Sequence, residues 1–236
     1  MSSDIESGLY YPNRWVRIIL IATEEIVGKN GVNALLNMGG LSHYIDNYPP
    51  DNMKKEVPFE HVSQLQQAYW DMYGPRGARA FAIRSGKKTF NDGLDSFGTA
   101  AKAARMAMKI GTLEKRIGLG LQFFAKFFNQ VSDQQVEVTE NENEYLWHLQ
   151  VCPMCYGEES DSPLCYLAVG VLQGALENFA DPTKHYRVTP IKCIAMGDEE
   201  GVISIDKDSI LGENRCNRSP PCSERDADDA DFTDKR

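Results

Sequence analysis

Four cysteines constrain this chain more than any other feature. Cys152, Cys155, Cys165 and Cys193 follow the spacing C-x2-C-x9-C-x27-C within the stretch VCPMCYGEESDSPLCYLAVGVLQGALENFADPTKHYRVTPIKC. Two thiolates separated by two residues grip one metal ion from a tight turn, and Pro153 stiffens that turn. Ser162 and Pro163 read as an N-cap and a first helical residue. The apolar face that follows, Leu164, Leu167, Ala168, Val171, Leu172, Ala175, Leu176 and Phe179, has helical spacing. Cys165 is therefore predicted in the first turn of a helix, where free N–H groups and the positive dipole end favour a thiolate. Gly170 and Gly174 leave room for another backbone against that helix. Past Asp181-Pro182, His185 to Val188 and Ile191 to Ala195 are β-compatible, Met196-Gly197-Asp198 is a turn, and Val202, Ile203 and Ile205 return as a strand. Cys193 is thus expected on a strand beside a hairpin.

A turn pair, a helix-start cysteine and a strand cysteine can converge on one tetrahedral site, for which zinc is the first choice. Three other readings stay open: a thiol–disulfide pair, ordinary packing of cysteine as a small apolar residue, and an iron–sulfur cluster. Cys216 and Cys222 lie in a polar, proline-containing tail and are not counted in the set.

Charge and hydropathy narrow the setting. A net charge of −9 argues against a nucleic-acid surface. No membrane span is visible, since the longest early apolar run, Ile18 to Ala22, is bracketed by Arg14, Arg17, Glu24 and Glu25. The protein is expected to be cytoplasmic, where clustered cysteines favour a metal or redox role over structural disulfides.

Along the chain, residues 1–12 read as a flexible leader. Asn13 is placed to cap a helix carrying Trp15, Ile18, Ile19, Ala22 and Ile26, and Gly28 to Gly31 interrupts it before a short helix from Val32 to Met38. Leu41 to Pro58, with Pro49, Pro50 and Pro58, is expected to be a loop or lid. A helix from Phe59 to Tyr73 points Val62, Leu65, Tyr69 and Met72 inward and is broken by Gly74-Pro75. The next helix is rich in small residues and carries Arg76, Arg79, Arg84, Lys87 and Lys88, a set read mainly as a solvated face. Ala100 to Met108 reads as helical. From Leu113 to Gln130 apolar residues cover more than one face, Phe123, Phe124 and Phe127 among them. Such a helix is expected to be buried on several sides, as core, dimer interface or the wall of a ligand cavity. Gln135 to Thr139 and Tyr145 to Val151 form a predicted β-hairpin, with Trp147 and His148 on the strand that feeds Cys152. His148 is read as an ordinary strand residue.

The fold class that follows is α+β: a helical amino-terminal half, then a small antiparallel sheet with a helix. One domain is expected over 13–206, mainly helical over 13–130 and cysteine-bearing over 131–206, with an acidic, disordered tail over 207–236. No GxGxxG follows a strand and no GxxxxGK[ST] is present. No Ser/His/Asp arrangement can be named, so no catalytic residue is assigned.

The words CPMCYGEESDSPLCYLAVGVLQGAL (Cys152 to Leu176) and KCIAMGD (Lys192 to Asp198), with YGPRGARAFAIRSGKKTF (Tyr73 to Phe90), resemble the vinyl-4-reductase domain family. That resemblance implies the ligand-binding fold shared with nitric-oxide-signalling and Golgi-transport proteins, an apolar cavity, a structural metal near its mouth, and a homodimer. The family's sensor members, the sensor domains of phenol- and xylene-responsive activators, hold zinc through a helix-start cysteine, a Glu-x-x-Cys and one more cysteine. Here Cys165 and Cys193 match two of these, while Pro190 stands at the glutamate and Gly201 near the last cysteine. Cys152 and Cys155 are the expected replacements, with Asp198, Glu199 and Glu200 as weaker candidates. The resemblance further implies a flat hydrophobic ligand of the tetrapyrrole, chlorophyll-precursor kind, walled by Phe123, Phe124, Phe127 and Trp147. The protein would be a carrier or accessory factor in bacteriochlorophyll-type biosynthesis. The alternatives are a 4-vinyl reductase and a stand-alone sensor or scaffold.

Overall fold

The computed structural model describes residues 7–96, 111–179 and 185–211. Its amino-terminal half is built on two long helices, each broken once at a glycine. Helix α1 (Asn13–Met38) breaks at Gly28, with φ 79° and ψ 164°. Helix α2 (Phe59–Ser96) breaks at Gly74, with φ 65° and ψ 172°, and Pro75 opens its second arm. A side chain is strained at such positive φ values, and proline suits a first helical turn, so both breaks fall where the local residue pattern demands them. The first arms bury Trp15, Ile18 and Ile19 against Val62, Leu65 and Tyr69. At the join the Tyr69 hydroxyl donates to Thr23 Oγ1 at 3.1 Å and is bonded to Ser85 Oγ at 3.0 Å, so both arms of α2 and helix α1 share one buried polar knot.

Asn13 does not cap α1. It is the first helical residue, and Pro12 precedes it without a side-chain bond. The first-turn amides are satisfied by the connecting loop instead, with Asn13 N–H donating to Lys54 O and Arg14 N–H to Asn52 O. The Asn13 side chain donates to Asn52 Oδ1 at 3.1 Å and Glu56 Oε2 at 2.6 Å. That loop ends in order. Strand β1 (Tyr10–Pro12) pairs antiparallel with β2 (Lys55–Pro58) and sets Tyr11 opposite Val57. Residues 10–12 are thus a strand rather than the end of a loose leader, because the Tyr11 ring is buried and in contact with Phe59 at 5.1 Å.

Helix α3 (Leu113–Val131) starts at Thr112, whose hydroxyl accepts from Lys115 N–H. It buries Ile117, Leu121, Ala125 and Phe128, yet Leu119 stays 60 % and Phe123 47 % exposed. Within the single chain, burial on several sides is not met, since one face meets the core and the other faces outward.

Strands β3 (Gln135–Glu140) and β4 (Glu144–Val151) form the expected hairpin. With β5 (Val188–Lys192) and β6 (Gly201–Asp206) they make a four-stranded antiparallel sheet in the order β3-β4-β6-β5. Pro190 sits on the edge strand β5, where a missing N–H costs least. Helix α4 (Tyr166–Phe179) crosses the second arm of α2 at very short range. A Cβ on Gly170 would strike the Ile83 carbonyl oxygen, and one on Gly86 would strike that of Leu167. A one-turn helix α5 (Lys207–Leu211) follows β6. The architecture is helical with small antiparallel sheets, the α+β class read from the sequence.

The basic run on α2 is partly tied up in ion pairs, Lys87 to Glu177 at 2.5 Å and Lys88 to Asp92 and Glu25 at 2.5 and 3.0 Å, while the Arg79 guanidinium lies over the Tyr166 ring. Among the described residues no helix is long and apolar enough to cross a membrane. Ala100 to Met108, Cys216 and Cys222 lie outside the described residues.

Candidate metal centre and the cavity beside it

Each of the four cysteines sits just outside a regular element. Cys152 follows the end of β4, and Cys155 closes a turn back onto it, its N–H donating to the Cys152 carbonyl at 3.5 Å. Cys165 lies one residue ahead of α4, and its carbonyl accepts from Val169 N–H at 3.1 Å. The helix therefore starts later than Ser162-Pro163 suggested. The Ser162 hydroxyl is not a cap; it accepts from the Trp70 indole at 3.3 Å. Cys193 follows β5 and opens a 3-10 turn, Ile194–Met196, so the strand run expected through Ala195 ends at Lys192. The Asp198 carboxylate is engaged by the Cys193 N–H at 2.8 Å, and Glu200 bonds His148 at 3.2 Å.

The sulfurs converge. Those of Cys152, Cys155 and Cys165 all lie within 4.8 Å of one another. Cys165 Sγ is 3.7 Å from Cys152 Sγ and 3.7 Å from Cys193 Sγ. A tetrahedron with zinc–thiolate arms of about 2.3 Å has edges of roughly 3.8 Å, so the sulfurs of Cys152, Cys155 and Cys165 are close enough to share one ion, while Cys193 lies outside that three-sulfur group and reaches it through its contact with Cys165. A disulfide needs about 2.05 Å, and all four are free thiols. None is more than 1 % exposed. The donor set suits a soft or borderline ion, zinc or an iron–sulfur centre, and not calcium or magnesium. A metal held by Cys152, Cys155, Cys165 and Cys193 would supply cross-linking, tying a loop, a helix start and a strand end into one unit.

The packed sulfurs shift one another's protonation in opposite directions. Thiol hydrogen bonds from Cys155 and Cys165 hold Cys152 well below the ordinary cysteine range. Cys165 is pushed well above it by its bonds to Cys152, Cys155 and Cys193 and by burial.

The turn between the paired cysteines has a second face. Pro153 and Met154 help wall a cavity of about 30 Å³, which also meets Trp15, Phe128, Trp147 and Leu167. Of the aromatic residues expected at a ligand wall, Trp147 is there. Phe123, Phe124 and Phe127 are not in this wall: Phe123 is exposed, Phe124 meets Phe90 edge-on at 5.3 Å, and Phe127 is half-buried on the same helix. Phe128 takes the place expected of Phe127, because α3 turns the residue one position on toward the sheet. Tyr11, which falls in the stretch expected to be a leader, and Gln134 complete the polar part of the wall. Cys155 also lines an open groove together with Glu158, Glu159 and Asp161.

No family model matches this chain, and no curated protein matches it, so membership of the vinyl-4-reductase family is not shown. Solved structures are similar in part. An H-NOX protein from S. oneidensis in the Fe(II)NO ligation state aligns with a TM-score of 0.48 and 14 % identity, over 80 % of this chain and 97 % of that one. An H-NOX domain from Shewanella oneidensis in the Fe(II)CO state gives 0.47 and 17 %, over 80 % and 96 %. The phenol-responsive sensory domain of the transcription activator PoxR, with phenol, gives 0.44 and 15 %, over 69 % and 80 %. These superpositions are coarse.

Proposed function

We propose that this chain is a small-molecule-binding domain whose cavity is roofed by a metal-pinned turn. One observation carries the reading: Cys152 and Cys155 belong to the sulfur cluster, and the two residues between them, Pro153 and Met154, belong to the cavity wall. Helix α4 repeats the pattern, with Cys165 ahead of it in the cluster and Leu167 on it in the wall. A four-thiolate zinc site is the finer assignment, supported by the sulfur spacings. Clustered free thiols suit a reducing compartment, which is the support for a cytoplasmic setting.

The sequence words quoted above support a tetrapyrrole-type ligand, a carrier or accessory role in bacteriochlorophyll-type biosynthesis, and a homodimer. The volume bears on the ligand. A cavity near 30 Å³ has room for about one water, whereas ligand sites usually span roughly 300–1,000 Å³. A tetrapyrrole would therefore have to part α4 from the sheet. The reductase alternative needs redox chemistry at the cluster, and iron held by the four thiolates would absorb in the visible range.

Native mass spectrometry of full-length protein purified under reducing conditions tests the reading. We expect one zinc per chain, no visible absorption, and a copurified small molecule in some fraction of the sample. A metal-free chain with Cys152 and Cys155 joined as a disulfide would overturn it.

A further inference from the structure

The chain segments that leave two of the cysteines run on into one groove. The loop after Cys155 and the turn after Cys193 wall an open space of about 820 Å³, with Gly157 to Asp161 on one side and Ile194 to Gly197 on the other. Its charge has one sign. Glu158, Glu159 and Asp161 line it, and among the described residues no basic side chain does. Carboxylates alone would be a solvated face. Cys155 changes that, because it belongs both to the groove wall and to the sulfur cluster.

A concave surface of one charge raises the local concentration of oppositely charged ions and speeds their capture by roughly 10- to 1,000-fold at low salt. The same field repels anions. Cys155 is a free thiol and 1 % exposed, so the walls must part slightly before an ion touches it. They meet through the Ser160 N–H, which donates to the Ala195 carbonyl at 2.9 Å. Each wall also carries a glycine at positive φ, Gly157 at 74° and Gly197 at 92°.

We infer that this groove is the port through which a divalent metal cation reaches and leaves the cysteine cluster, with Cys155 the sulfur met first and Glu158, Glu159 and Asp161 drawing the ion in. The inference rests on the reading that the cluster holds a metal, and it adds how that metal is exchanged. Groove charge thus sets the rate of exchange, while the sulfurs set how much metal is held.

The test follows two reactions of the zinc-loaded full chain under reducing conditions. One is displacement of zinc by cadmium, a softer ion, read by cadmium–thiolate absorption; the other is zinc loss to EDTA, an anionic chelator. Wild type is compared with the triple variant Glu158→Gln, Glu159→Gln, Asp161→Asn. Met196→Lys is the second variant, placing a positive charge on the opposite wall at a residue 48 % exposed, and Met196→Gln is its neutral control. The triple variant should start with one zinc per chain, take up cadmium about tenfold more slowly at low salt, and lose zinc to EDTA faster. At 1 M salt, where the screening length falls to about 3 Å, its rates should rejoin those of wild type. Met196→Lys should shift both rates in the same directions, and Met196→Gln neither. Exchange indifferent to groove charge at low salt, a slowing that persists at 1 M salt, or equal slowing by Met196→Gln overturns the inference. A chain that holds one zinc and fails these tests leaves the proposed function standing; a chain that neither copurifies with metal nor takes any up overturns both.

Discussion

Cys165 is the residue on which the cluster turns. It touches Cys152 and Cys193, each at 3.7 Å, and so joins the turn to the strand end. Cys165→Ser should therefore drop bound zinc from about one per chain to nearly none, read by elemental analysis, and should lower the melting temperature. Retention of full zinc by that variant would remove Cys165 from the ligand set. Gln66 makes a separate case. It is fully buried, and neither end of its amide has a partner among the described residues. An orphaned buried amide costs about 1–3 kcal/mol, so Gln66→Met should stabilise the fold by ~1 kcal/mol or more in urea titrations. A loss of stability instead would mean that the amide has a partner in solution.

Helices α2 and α4 approach closely because glycine stands on both sides of the crossing. Gly86 and Gly170 each lie where a Cβ would enter a backbone carbonyl of the other helix. Gly170→Ala should cost about 1–3 kcal/mol, the usual penalty of overpacking, and shift the urea midpoint without changing far-ultraviolet dichroism. Helix α3 gives a paired test. Leu121 is 3 % exposed and Phe123 47 %. Leu121→Ala should cost about 2–5 kcal/mol, and Phe123→Ser less than about 0.5 kcal/mol. Similar losses for the two would place Phe123 in an interface that the single chain does not display. The exposed Leu119 and Phe123 also show why an apolar count alone misjudges this helix: hydrophobic residues are common on surfaces, and only the neighbours decide which face is covered.

For the molecule as a whole, the cluster joins a turn, a helix start and a strand end, so a metal bound there should act on global stability. Stripping the metal with a chelator under reducing conditions should lower the melting temperature by several degrees and weaken binding of any cavity probe, since the cavity roof is part of the same turn. Unchanged melting and unchanged binding after complete metal loss would separate the two sites. The breaks at Gly28 and Gly74, the β3–β4 hairpin and the glycine-lined α4 are all legible in the residue order, because each is set by local rules: positive φ at glycine, period-two alternation, and four-residue spacing. The four sulfurs are legible as a candidate set for the same reason, since CxxC is a local motif.

What the chain's order of residues determined by itself was where the long helices break, and which cysteines were available to meet. What tertiary structure alone decided was membership of the wall. Tyr11 enters the core because β1 finds β2 across the α1 connection, and Phe128 displaces Phe127 because α3 is rotated by its contact with the sheet. Local propensity acts over a turn of chain, while rotation, register and proximity are fixed by residues distant in sequence, and no periodicity records those.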